Sequence, residues 1–256
     1  MLLGMYAFRS YYGIDLNEWL GMHYPASDKF KGYQLVTYMF MHGGFSHLFF
    51  NMFALYMFGP ILEQVWGGKK FFFFYLVTGL GAVATNVLVN YVHFSMIESA
   101  INTFAQTASP DTFELFVRQH FEGFPQSYNA YSSQVYDQLV MLWNGDPGNP
   151  MYTQQGISFL HGLMQAEMGT PMVGASGAIF GVLLAYGMLF PNNILMLLIP
   201  PMPIKAKWMV LAYGVIELFA GVYNPSSSIA HFAHLGGMVF GIFLILYWKK
   251  KGQMYS

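Results

Sequence analysis

Charged residues cut this chain into apolar stretches, and five of them are long enough to cross a membrane, which takes about 20 apolar residues. Gly32 to Leu62 carries no acid or base except His42 and His47, and Phe71 to Ile97 none except His93. Met168 to Ile204 is free of charge, Trp208 to Val222 holds only Glu217, and Ala230 to Trp248 holds only His231 and His234. These boundaries predict spans over roughly 46–65, 71–92, 173–190, 206–222 and 231–248. Only 9% of the 256 residues are charged and 55% are hydrophobic, against about 25% charged in a soluble domain, so there is too little polar surface for a water-soluble globule. The net charge of −1 gives no footprint for nucleic acid. The chain has no cysteine, which excludes disulfides, thiol nucleophiles and thiolate metal sites.

Lysines orient the spans. Lys69 and Lys70 follow the first, Lys205 and Lys207 lie between the third and fourth, and Lys249, Lys250 and Lys251 follow the last. Short basic segments favour the cytoplasm, and these fall after spans one, three and five, as alternation of sides requires. The C-terminus and the tail 251–256 are then cytoplasmic. The stretch 94–168 falls outside, with Glu98, Asp111, Glu114, Glu122, Asp137, Asp146 and Glu167 against Arg118 alone. It is too long for a plain loop. Ser109-Pro110 reads as a cap opening a helix to about Phe121, Ser132 to Trp143 and Thr153 to Gln165 read as two more, and 144–150 is a turn cluster. The expected architecture is an all-α polytopic membrane bundle over 1–250, with a small extracytoplasmic helical insertion at 94–168. Met1 to Phe8 lacks the basic start and cleavage site of a signal peptide. At eight residues it is too short to cross and reads as the outer end of a truncated further span.

Polar residues inside spans are costly and usually have a task. His47 and Asn51 are four apart and share a helical face, with His42 on the approach. Ser176 sits among Gly174, Gly177 and Gly181, and Phe180 lies four residues on. His234 lies on a span with Gly237 and Gly241. Small residues at such spacing let helices pack closely, which would bring Ser176 and His234 together. A serine hydroxyl needs a base to take its proton, a task suited to histidine near neutral pH. The Ser176 N–H, His47 and Asn51 could then stabilise an oxyanion. Glu217, late in its span, reads as an interfacial residue, with a role in gating as the alternative.

The run His42-x4-His47-x3-Asn51, the core Gly174-x-Ser176-Gly177 and Ala233-His234-x-Gly236-Gly237-x3-Gly241 together resemble the rhomboid intramembrane serine proteases over about residues 33–250. The resemblance implies a six-helix core, here with a truncated first span, and a Ser-His dyad with no acid. It implies cleavage of transmembrane protein substrates within the lipid bilayer, near its extracytoplasmic face. Carried over, Ser176 is the nucleophile and His234 the base. His47 and Asn51 match the oxyanion pair, and His42 matches a histidine that helps hold water or the oxyanion. Phe180 falls where an aromatic residue stacks on the catalytic histidine, and Gly237 and Gly241 match close-packing glycines. No cofactor or metal is implied, and the compact form points to a bacterial cytoplasmic membrane. The family's Trp-Arg pair appears here as Tyr33-Gln34, so the anchoring of that loop should differ. A catalytically silent rhomboid-like client-binding protein is the alternative, but such proteins usually lack the serine or histidine. A metalloprotease or metal transporter using His42, His47, His231 and His234 is disfavoured, since there is no His-Glu-x-x-His motif and no carboxylate beside these histidines in sequence.

Overall fold

The computed structural model describes residues 8, 10–121, 130–196, 201–223 and 231–254. Nearly all of the N-terminal stretch read as a truncated span, together with Glu122 and Ala230, lies outside them. The chain divides into two compact units, one formed by 1–89 and 171–256, the other by 90–170.

In the first unit, two short helices, α1 (Leu16–Leu20) and α2 (Gln34–Thr37), precede the spanning helices. Helix α3 covers Phe45–Trp66 and ends at Gly67, whose φ of +75° turns the chain. Helix α4 begins at once and runs Gly68–Phe104, well past the 71–92 expected for its span. Glu98 ends the apolar run but not the helix, because nothing in 93–104 breaks helical backbone. Helices α3 and α4 are both long and apolar enough to cross a membrane, as are the two that close the chain. The protein is thus an integral, multi-pass helical membrane bundle.

The second unit contains the end of α4 followed by α5 (Pro110–His120), α6 (Ala130–Gly145) and α7 (Pro150–Met168). Ser109 caps α5 through a reciprocal pair of bonds with Thr112. Phe104 and Phe113 pack against the fully buried Trp143, and Phe116 against Phe104. Gly156 leaves the room that the Trp143 ring fills. His161 pairs with Glu98 at 3.3 Å and His93 with Glu167 at 3.5 Å.

Back in the first unit, α8 covers only Ser176–Leu189, whereas the sequence predicts a span from 173. The reason lies at Gly174. Its φ is +114° and its N–H donates to the Tyr38 carbonyl at 2.9 Å, so the chain is held out of helical geometry until Ser176. Fourteen residues rise only about 21 Å, less than a hydrocarbon core of about 30 Å. Helix α8 is buried on every side through most of its length, from Gly177 to Gly187 apart from the half-buried Phe180, as expected of a helix apolar all round at the centre of a bundle. A small antiparallel hairpin that the sequence reading missed follows, β1 (Ile194–Met196) on β2 (Pro203–Lys205), with Ile194 opposite Lys205. Helices α9 (Ala206–Tyr223) and α10 (His231–Lys250) complete the unit.

Helix α10 packs on α8 more extensively than any other pair of elements. The close approach centres on Gly177 and Gly237, where a Cβ on Gly237 would lie 1.9 Å from the Gly177 carbonyl oxygen. Gly181 faces Thr78 of α4 rather than α10. Gly241 is less crowded, since a Cβ there would meet Leu184 and Phe74 at 3.3 Å. At the lysine end, Trp66, Phe74 and Trp248 form an aromatic cluster, with Lys70 4.6 Å above the Trp248 ring. The start of α4 and the end of α10 therefore lie together, at the opposite end of the bundle from Ser176. Helix α9 is held more lightly, with Met209, Val210 and Gly221 buried while Leu211, Ile216, Leu218 and Phe219 lie exposed.

Gln34 explains how the N-terminal loop is anchored without the Trp-Arg pair. It is 1% exposed. Its side-chain oxygen accepts from the Lys31 N–H at 3.0 Å and the His23 N–H at 3.5 Å. Its amide nitrogen donates to the carbonyls of Lys29 at 3.1 Å and Trp19 at 3.2 Å. One amide thus satisfies four backbone groups of an otherwise irregular segment.

Candidate active site

Ser176 is the first residue of α8, and Ala175 before it offers no side-chain cap. The first N–H groups of a helix have no partner inside it and carry the positive end of its dipole. Ser176 therefore presents both a hydroxyl and an oriented N–H at the same place. His234, in the first turn of α10, meets it, with Nε2 2.7 Å from Ser176 Oγ. Gly177, the next residue of α8, and Gly237, three residues beyond His234 in α10, bring the two helices together beside this pair. Phe180, one turn along α8, lies flat on the His234 ring, the centroids 4.3 Å apart and the planes 3° from parallel.

The expected oxyanion donors come from α3. The Gly43 N–H donates to His47 Nδ1 at 3.3 Å, so Nε2 is the nitrogen that carries the His47 proton. That Nε2 and the amide nitrogen of Asn51 converge on Gly174, where a Cβ would lie 2.6 Å from the first and 3.7 Å from the second. Gly174 therefore serves this approach and its backbone turn, not the helix packing read from the sequence. Asn51 is buried and its Nδ2 has no hydrogen-bond partner among the described residues, an orphan donor of the kind that marks a functional site. His42 is also buried, its ring edge-on to His47 with centroids 5.1 Å apart. Burial, with the neighbouring His47, holds the His42 imidazole below its ordinary range.

Glu217 has partners that its reading as an interfacial residue did not include. Its side chain is 12% exposed, and its Oε2 lies 2.7 Å from His231 Nδ1 and 3.0 Å from His234 Nδ1. The resemblance implied no acid, and the sequence reading found no carboxylate beside the histidines, yet the fold supplies one. One signal was available, a lone acid in a span facing a helix whose two histidines are three residues apart on one face. The donor atoms of Glu217, His231 and His234 lie within 4.8 Å of one another and could hold a divalent cation. A cation there would compete with the bonds those atoms make. His42 and His47 are not part of this group.

A family model for the rhomboid domain matches residues 29–110 and 151–251. The Bacillus subtilis protein YdcA is 36% identical over 64 residues, covering 24% of this chain and 32% of its own length. Rhomboid protein 1 of Saccharomyces cerevisiae mitochondria is 38% identical over 72 residues, 28% of this chain and 20% of its own. Rhomboid-like protein 11 of Arabidopsis thaliana chloroplasts is 42% identical over 57 residues, 22% of this chain and 20% of its own. The chain thus spans about a third or less of the curated relatives it matches. No solved structure matches it. With the family model matching well over half of its residues, the chain belongs to the rhomboid family.

Proposed function

We propose that this protein is an intramembrane serine endopeptidase that cleaves peptide bonds in or near transmembrane segments of other membrane proteins. The observation that carries this reading is the 2.7 Å bond from Ser176 Oγ to His234 Nε2. His234 Nε2 takes the hydroxyl proton as Oγ attacks the scissile carbonyl carbon. The negative charge on the carbonyl oxygen is met by the Ser176 N–H, His47 Nε2–H and Asn51 Nδ2–H. Collapse breaks the C–N bond, and His234 returns its proton to the leaving amine. A water then gives its proton to His234 and attacks the acyl carbon; the C–Oγ bond breaks, His234 returns the proton to Ser176 Oγ, and the acid is released. Phe180 keeps the ring in plane, and Gly177 with Gly237 keeps the two helices at reacting distance.

The site lies at the end of the bundle away from Lys69, Lys70, Lys249 and Lys250, which supports an extracytoplasmic active site and a cytoplasmic C-terminus. The lightly packed α9 offers a side through which a substrate helix can enter. The client-binding alternative needs no hydrogen-bonded serine and histidine, so the retained pair weighs against it.

The test is cleavage of a fluorescent-tagged membrane substrate by purified protein in detergent, beside Ser176→Ala and His234→Ala. Loss of cleavage in both variants is expected. Cleavage that survives Ser176→Ala overturns the reading. Chelator should leave the rate unchanged, and loss of activity in chelator would favour metal chemistry at Glu217, His231 and His234.

A further inference from the structure

The His234 ring is gripped on three sides. Ser176 Oγ occupies Nε2 at 2.7 Å, Phe180 covers one face, and Glu217 Oε2 stands 3.0 Å from Nδ1. The third contact joins α9 to α10 and brings a carboxylate to the ring nitrogen away from the serine. Its approach is too bent for a formed hydrogen bond, and His234 Nδ1 has no partner of that kind among the described residues. Oε2 makes its hydrogen bond to His231 Nδ1 instead, at 2.7 Å.

We infer that Glu217 is a positioning residue for His234, which turns the expected dyad into a Ser176–His234–Glu217 relay whose last link tightens during the reaction. This rests on the protease reading above. A carboxylate in a spanning helix is expensive, and a bond to His231 alone would not require it to lie at the edge of the His234 ring. In the resting state His234 needs one proton, on Nδ1, so that Nε2 can accept from Ser176. Once it takes the serine proton it carries two N–H groups and a positive charge, and Oε2 is already within reach of the second. Catalytic bonds are commonly long or bent before substrate arrives and shorten afterwards. His231 holds the carboxylate in place meanwhile, from one helical turn before His234. Around His234, the titratable side chains are Glu217 from α9, His231 from its own helix and His47 from α3. Glu217 is the acid among them.

Three measurements test the assignment. Glu217→Gln keeps size and removes charge. It should lower kcat by about tenfold or more with little change in KM, as expected when the group orienting a catalytic histidine is lost. His231→Gln, which keeps a donor toward Oε2 and leaves the Glu217 charge in place, should lower kcat less than Glu217→Gln does. Glu217→Gln at parental kcat, or both variants falling equally, would overturn the assignment, the second outcome marking the pair as a structural tie between α9 and α10. The third measurement needs no turnover. Nitrogen-15 NMR of ring-labelled histidine, with His234 assigned by its loss in His234→Ala, should show the proton on Nδ1 in the parent and a shift of the tautomer towards Nε2 in Glu217→Gln, and an identical His234 signal in the two would overturn the assignment. If Ser176→Ala still cleaves, the protease reading fails, while the comparison of tautomers in the parent and Glu217→Gln still decides whether Glu217 orients His234.

Discussion

Phe180 and His234 lie face to face, their ring centroids 4.3 Å apart and their planes within 3° of parallel. Tyr213 of α9 meets Phe180 edge-on at 6.1 Å, so the stack is itself supported from the lightly packed helix. An aromatic pair of this kind is worth about 0.5–1.5 kcal/mol. Phe180→Ala should therefore cost about two- to tenfold in kcat, through a histidine that spends less time in line with Ser176. KM should change little and Phe180→Tyr should behave as the parent. Steady-state kinetics on the three proteins decides it, and an unchanged kcat in Phe180→Ala would remove the stack from the mechanism.

The separation of Ser176 and His234 depends on two glycines. A Cβ on Gly237 would fall 1.9 Å from the Gly177 carbonyl, which is backbone and cannot turn aside. Gly237→Val should push α8 and α10 apart, destabilise the bundle by about 1–3 kcal/mol or more, and abolish cleavage while the protein still inserts. Gly241→Ala is the matched control. Its Cβ would meet the ends of Leu184 and Phe74 at 3.3 Å, and these side chains can shift. Thermal unfolding in detergent and the cleavage rate should separate the two variants, and normal proteolysis by Gly237→Val would refute the packing argument.

What could be read from the sequence follows from what a bilayer makes expensive. Spans are visible because charges are excluded from them, and Ser176, His234, His47 and Asn51 stand out as polar groups in apolar runs. The start of α8 was not legible, because it depends on a bond between Gly174 and Tyr38, 136 positions apart in the sequence. Glu217 was visible as a lone acid, but its partners depend on how α9 and α10 are rotated against each other. The end of α4 was not legible because hydropathy reports where a membrane ends, not where a helix does. The hairpin 194–205 is carried by three-residue strands too short to leave a periodic pattern.

Gln34 shows how an anchor can change chemistry and keep its task. All four of its bonds go to backbone groups of one loop, and none reaches the site. Gln34→Ala leaves the His23 and Lys31 N–H groups and the Lys29 carbonyl without this partner, each at a cost of about 1–3 kcal/mol if it stays dry, while the Trp19 carbonyl keeps the Tyr33 hydroxyl. The melting temperature should fall while the kcat of the folded fraction is kept. Gln34→Glu should be no better, because a carboxylate keeps the acceptor toward Lys31 but faces the carbonyls of Trp19 and Lys29 with no donor. Thermal melts with active-site titration check this, and parental stability in Gln34→Ala would show that the loop is held elsewhere.

Asn51 and His47 should act on the transition state alone. Asn51 Nδ2 has no partner among the described residues, and the Gly43 N–H leaves His47 donating through Nε2. Both donors point toward Gly174, two residues before Ser176. A ground-state carbonyl gains little from donors placed for an oxyanion, so removing one should lower kcat far more than it raises KM. Asn51→Ala and His47→Ala should each cost about 100- to 1000-fold in kcat. The double variant should lose less than the product of the two, because the donors serve one oxygen and act as a unit. Single-turnover kinetics on the three variants measures this. Additive losses, or a rise in KM at constant kcat, would place the two side chains in substrate binding rather than in stabilising developing charge.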